Sequence, residues 1–199
     1  MFVVGAWDRL PLLAQAISGD LERFAAGNPL VHASAGIAVV DGHFPLYRGA
    51  HEAAEALDQA KDHRRAGETR ARKQAMTLLG QTVGWESAPA VVATVERAWR
   101  AVERHGAPRA LVHTLGAIAE SYERTRAEQK AQPGQPVFGR WMWLRVYALT
   151  RLAARAKGET AKEIEALQGD ALTLAPHLRL IARWAELLLR KEGSNRADA

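Results

Sequence analysis

With 199 residues, 48% of them apolar and 25% charged, the chain is long enough to bury a core and too apolar for a wholly disordered tail. It has no cysteine, which excludes disulfides, thiolate metal sites, iron–sulfur clusters and cysteine nucleophiles together. No apolar run approaches the roughly 18 residues that span a bilayer, and the run from Phe2 to Trp7 is broken at once by Asp8 and Arg9. Neither a membrane partner nor a signal peptide is expected, and the composition reads as cytoplasmic. The net charge of +5 is concentrated in one segment, where Lys61, Arg64, Arg65, Arg70, Arg72 and Lys73 face only Asp62 and Glu68. That segment is either a solvated helix end whose cations complement the helix dipole or a phosphate-binding site that focuses positive potential on a polyanion.

In chain order, Phe2, Val3, Val4 and Trp7 predict a short buried strand. Asp8 is placed to cap a helix in which Leu10, Leu13, Ile17, Leu21 and Phe24 recur at steps of three and four, and Gly27, Asn28 and Pro29 stop it. Leu30 to Val40 predicts a second strand, closed by the Asp41-Gly42 turn. After Pro45, a helix carrying Leu46, Ala50, Ala53, Ala54, Leu57 and Ala60 leads into the basic segment, and Gln74 to Trp85 predicts a strand and turn. From Ser87 onward only helices are predicted. They carry Val92, Val95, Trp99 and Val102; then Leu111, Leu115, Ile118 and Tyr122; then Phe138, Trp141, Leu144, Leu149 and Leu152 after a Pro133-Gly134-Gln135-Pro136 turn. Thr160 and Glu163 form a capping-box pattern for a short fourth helix, Pro176 opens the last, with Leu178, Ile181, Trp184 and Leu188, and the tail from Glu192 is expected to fray. Short loops between amphipathic helices predict an antiparallel bundle, so the domains expected are residues 1–86 and 87–199.

Sites for the commonest enzyme chemistries are missing from this pattern. There is no phosphate-cradling glycine loop and no His-Asp doublet among the seven histidines. His43 and His51 lack a further metal ligand at a convincing spacing and read as surface or capping residues. Glu52, Glu55, Glu163 and Glu165 read as solvated faces. The tryptophans fall on apolar helix faces, except that Trp141 and Trp143, two residues apart, cannot both face one core.

Four segments in order, Phe2-Val3-Val4-Gly5-Ala6-Trp7, Ser34-Ala35-Gly36-Ile37-Ala38, Ala53 to Lys61 and Gln74 to Glu86, resemble the second half of a GGDEF-like cyclase (palm) domain. With Phe44-Pro45 before the last palm helix and Leu79-Gly80-Gln81-Thr82-Val83-Gly84-Trp85 before a helical domain, the chain resembles the C-terminal part of the large subunit of type III-A CRISPR effector complexes. Gln74 replaces a usual Asn, and Leu78 an aromatic. The implied fold is mainly α: an incomplete α+β ferredoxin-like palm half followed by an all-α helical bundle.

The resemblance implies an intact protein that senses target RNA on a guide RNA complex and makes cyclic oligoadenylate from ATP with a divalent metal. Its partners would be the remainder of the large subunit, the small helical and other subunits of the effector complex, and the guide and target RNAs. In that family a Gly-Gly-Asp-Asp hairpin with the metal carboxylates directly precedes the strand that begins here at Phe2, and a nuclease domain lies further upstream. The chain by itself is therefore expected to be catalytically silent. What the resemblance carries over is one wall of a nucleotide site: Lys61 and Arg65, at i and i+4 on one helix, for the triphosphate, with Ser34 and Gly36 on a nearby strand. Two other readings remain at this stage. One is a degenerate diguanylate-cyclase-like signalling domain, which leaves residues 87–199 unexplained. The other is a stand-alone helical RNA-binding adaptor with Arg140, Arg145, Arg151, Arg155 and Lys157 as its footprint, residues that serve equally as solubilising charges.

Overall fold

In the computed structural model, which describes residues 1–28, 30–64, 73–132 and 139–197 and side chains as far as Lys191, the chain divides into two compact units, Met1–Pro89 and Ala90–Ala199. The chain is mainly α, with a small α+β portion followed by an all-α bundle.

In the first unit, helix α1 (Leu10–Phe24) forms where the apolar spacing predicts it. Arg9 takes the N-cap position without a side-chain cap bond, so Asp8 does not cap the helix as expected. Ala26 and Gly27 both adopt positive φ just past its end. Strand β1 (Ala35–Ile37) is the middle of the predicted Leu30–Val40 strand, and α2 (Leu46–Lys61) follows Pro45. Strands β2 (Ala75–Leu78) and β3 (Gln81–Gly84) form a hairpin. Its two-residue loop, Leu79-Gly80, has positive φ at both positions, the geometry whose twist suits adjoining strands.

The sheet order is β1-β2-β3, with β1 parallel to β2 and β2 antiparallel to β3. Parallel neighbours require a crossover, and α2 supplies it, packing on the sheet it connects. Every residue of β2 is buried, and its Thr77 meets the cross-strand Thr82 with hydroxyl oxygens 2.8 Å apart, so the polar pair is satisfied within the ladder.

The expected Phe2–Trp7 strand does not form. Phe2, Val3 and Val4 are exposed, and β1 is an edge of the sheet. A strand makes its backbone bonds to another strand, and apolar β-branched residues alone do not supply that partner.

The second unit holds the greater part of α3 (Ala88–Glu103), then α4 (Ala110–Ala131), α5 (Arg140–Arg155), α6 (Glu159–Thr173), a 3-10 turn (Ala175–His177) and α7 (Leu178–Ala197). Helix α4 packs on α5 and α7, and α5 packs on α6. Leu111, Leu115, Ile118, Leu149, Ile164, Leu167, Leu178, Ile181 and Trp184 form the core. Three sequence expectations change. The buried face of α3 is Val91, Thr94, Val95, Ala98 and Ala101, leaving Val92, Trp99 and Val102 half-buried at its margin. Gly158, with φ +58°, takes the N-cap of α6, while Thr160 instead donates its hydroxyl proton to the His105 carbonyl. The tail expected to fray from Glu192 is helical through Ala197. The expected Pro133–Pro136 turn, Phe138 and Pro29 lie outside the described residues.

Glu163, read from sequence as solvated, is mostly buried: it pairs with Arg97 at 3.2 Å and Arg100 at 3.3 Å. Asp170 joins the same cluster, accepting from Arg97 and, at 3.2 Å, from the Thr94 hydroxyl. This polar seam ties α3 to α6. Asp170→Asn weakens two bonds at once and is expected to destabilise the bundle by about 1–2 kcal/mol, seen as a lower urea midpoint. An unchanged midpoint would show that the cluster is a solvated network with no net effect.

Candidate functional site

The elements of the first unit decide where its candidate residues meet. Helix α2 runs back along the parallel pair β1-β2, so its C-terminus lies at the end where both strands begin. Lys61 is the last residue of α2, Ser34 directly precedes β1, and Lys73 comes two residues before β2. The topology therefore gathers Ser34, Lys61 and Lys73 at one end of the sheet, although they are far apart in sequence.

Gly36 explains how α2 can approach so closely. A Cβ at this position would overlap the backbones of Ala53 and Leu57, reaching 2.7 Å from the Leu57 Cα. Only glycine lets the helix seat on the strand at this depth. The tie at the strand entrance is equally specific: the Ser34 hydroxyl donates to the Lys73 carbonyl at 2.6 Å, and Lys73 holds a positive φ of 53°. One residue earlier, the Trp85 indole N–H donates to the Ala33 carbonyl at 2.8 Å, so the end of the hairpin also holds the entry to β1. In this structure Ser34 and Gly36 act on the backbone.

Lys61 is half-exposed, and its ammonium donates to Asp58 at 2.8 Å, one turn back on α2. The bond is surface-exposed, and such a pair contributes little to stability. Arg65, Arg70 and Arg72 lie outside the described residues, while Arg64 is exposed. Among the described residues no three His, Asp or Glu side chains gather to hold a metal ion. His43 contacts Asp41 at 3.2 Å and His51 contacts Glu55 at 3.3 Å, each within its own exposed turn. The described carboxylates thus do not fit a two-metal centre, which needs them converging on shared oxygens.

In the bundle, the four candidate arginines of α5 separate. Arg140, Arg151 and Arg155 are exposed, but Arg145 is half-buried and donates to the Gln168 carbonyl of α6. The two tryptophans divide as their spacing requires: Trp141 is buried, edge-on to Tyr122 with ring centroids 5.2 Å apart, and Trp143 is exposed. Sequence reasoning missed the exposed Tyr147, whose ring lies under the Arg151 guanidinium at 5.3 Å. The signal was available in the i, i+4 spacing of Trp143, Tyr147 and Arg151.

Comparison with known proteins bears on the first unit. The family described as Cas10/Cmr2, second palm domain, matches residues 1–68. Over 88 residues the chain is 32% identical to the CRISPR system single-strand-specific deoxyribonuclease Cas10/Csm1 (subtype III-A) of Methanocaldococcus jannaschii, a stretch covering 42% of this chain and 11% of that protein. No solved structure matches the chain. Residues 1–68, which contain α2 seated on a glycine strand, are thus similar to a Cas10/Cmr2 second palm domain, and the chain spans about a tenth of the length of the curated type III-A relative it matches.

Proposed function

We propose that this chain serves in RNA-guided antiviral defence as the palm-and-bundle portion of a type III-A effector large subunit, within an assembly that makes cyclic oligoadenylate from ATP when target RNA binds. Its palm portion supplies one wall of the nucleotide site, with Lys61 at the end of α2 toward the triphosphate and Arg65, outside the described residues, as the further cation that the resemblance implies. Its bundle docks the small helical subunits and lies near the guide and target RNAs. A divalent metal belongs to the assembled site and is held by carboxylates from the rest of the large subunit, because the described ones here do not converge. The chain alone binds and positions; it does not catalyse.

The observation that carries this reading is the seating of α2 on Gly36, which presents Lys61 at the end of the sheet where the basic segment begins. Clustered cations at a helix end serve a triphosphate through charge-assisted bonds, and losing one well-formed bond weakens binding about tenfold or more. Lys61→Ala, in the large subunit assembled with this chain, is therefore expected to raise the ATP dissociation constant by about that factor without lowering the melting temperature. Equal ATP affinity in the variant would return the basic segment to a solvated helix end.

A further inference from the structure

A surface stripe of α5 stands outside the packing of the bundle. Trp143 is 72% exposed and Tyr147 59%, while their neighbours Met142 and Val146 are also exposed. At about 100° per residue, Trp143, Tyr147, Arg151, Arg140 and Arg155 fall within an arc of about 120°, opposite the buried face that holds Trp141, Leu149 and Ala153. Arg140 stands before the two rings along the helix, and Arg151 and Arg155 stand after them.

The charge of this stripe has one sign. From Arg140 to Lys157 the chain has five cations and no carboxylate. Among the described residues no carboxylate pairs with Arg140, Arg151 or Arg155, in contrast to Arg97, Arg100 and Arg179 of the same unit. Arg151 instead rests on the Tyr147 ring and donates to its hydroxyl. Single exposed aromatics are ordinary on protein surfaces, but two rings one turn apart, bracketed by unpaired guanidinium groups, are not explained by solubility.

We infer that this stripe is a stacking platform for a single-stranded polynucleotide, whose bases lie on Trp143 and Tyr147 and whose phosphates meet Arg140, Arg151 and Arg155. Every base presents a π-face, so stacking tolerates any sequence, and guanidinium groups without counter-charges complement the backbone. A duplex hides its base faces from such rings. Base stacking and phosphate contacts do not involve the sugar 2′-hydroxyl, so the platform takes RNA and DNA alike. The inference rests on, and sharpens, the reading of the bundle as lying near nucleic acid. It does not depend on Lys61, so the two can fail separately.

The test is fluorescence anisotropy of the full chain with a labelled single strand of about 15 nucleotides, as RNA and as DNA of the same sequence, and with the matching duplex, over a salt series. Trp143→Ala is expected to weaken single-strand binding about 5- to 100-fold, since stacking on one aromatic contributes on that scale. Arg151→Ala is expected to weaken it too and to flatten the salt dependence by about 0.7 in the log–log slope, the loss of one phosphate contact. Arg109→Ala, an exposed arginine off the stripe, serves as control and should leave affinity within about twofold. Circular dichroism confirms that each variant folds, and Tyr147→Ser repeats the test should Trp143→Ala not fold. Unchanged affinity in a folded Trp143→Ala variant, duplex bound as tightly as single strand, a preference for RNA over DNA beyond about tenfold, or no binding by the folded chain would overturn the inference.

Discussion

Replacing Gly36 by alanine is expected to unseat α2 and disorganise the sheet of the first unit while leaving the bundle intact. The added Cβ meets backbone atoms of Ala53 and Leu57, which cannot rotate away as a side-chain end can. The helix must therefore lift along the length that buries Ala60 and covers β1 and β2. Forced overpacking of this kind costs about 1–3 kcal/mol, and a clash with backbone belongs at the upper end. Hydrogen exchange should show Ala35–Ile37 and Ala75–Leu78 losing protection while Leu115 and Ile181 keep theirs. On the proposed reading, nucleotide affinity of the assembled large subunit should fall with it, since α2 also carries Lys61. Normal protection of β1 and β2 in the alanine variant would mean that α2 sits less deeply than this geometry requires.

The second large effect is a difference in protection along the unmodified chain. Helices satisfy their own backbone groups, and those of the bundle bury a continuous core, so amides at Leu115, Ile118, Ile181 and Ala185 should exchange slowest, near the global limit. Val3 and Val4 are exposed and lie outside any strand, so they should exchange at close to the free rate. Between these extremes β2, paired on both edges, should outlast β1, which has one free edge. On the proposed reading, adding the rest of the large subunit protects Val3, Val4 and the outer edge of β1 together, since an unpaired edge seeks a strand. Protection of Val3 and Val4 in the chain alone equal to that of Leu115 would instead show that the first residues already have a partner strand and that the palm portion is complete in itself.

Helix positions were determined by sequence because the helical hydrogen bond is local. The spacing of Leu10, Ile17 and Leu21, of Leu111, Leu115 and Ile118, and of Leu178, Ile181 and Trp184 needs only one turn of neighbours to acquire a face. The same local logic separated Trp141 from Trp143. The motif order around Ser34, Gly36 and Lys61, read as a resemblance, anticipated the palm family that comparison then showed over residues 1–68. Where partners are distant, only the tertiary structure decided. Phe2–Trp7 has the composition of a strand but not the neighbour that would make it one. Thr160 satisfies the capping-box pattern yet bonds to His105, because the chain brings that carbonyl from 55 residues away. Glu163 looks solvated in a charged stretch until α3 delivers Arg97 and Arg100 to it. Gly36 is one glycine among sixteen until α2 lies on it. The division follows the range of the interactions: periodicity records what a residue does to its own turn, whereas pairing, close approach and ion clusters depend on chain that folding brings from elsewhere.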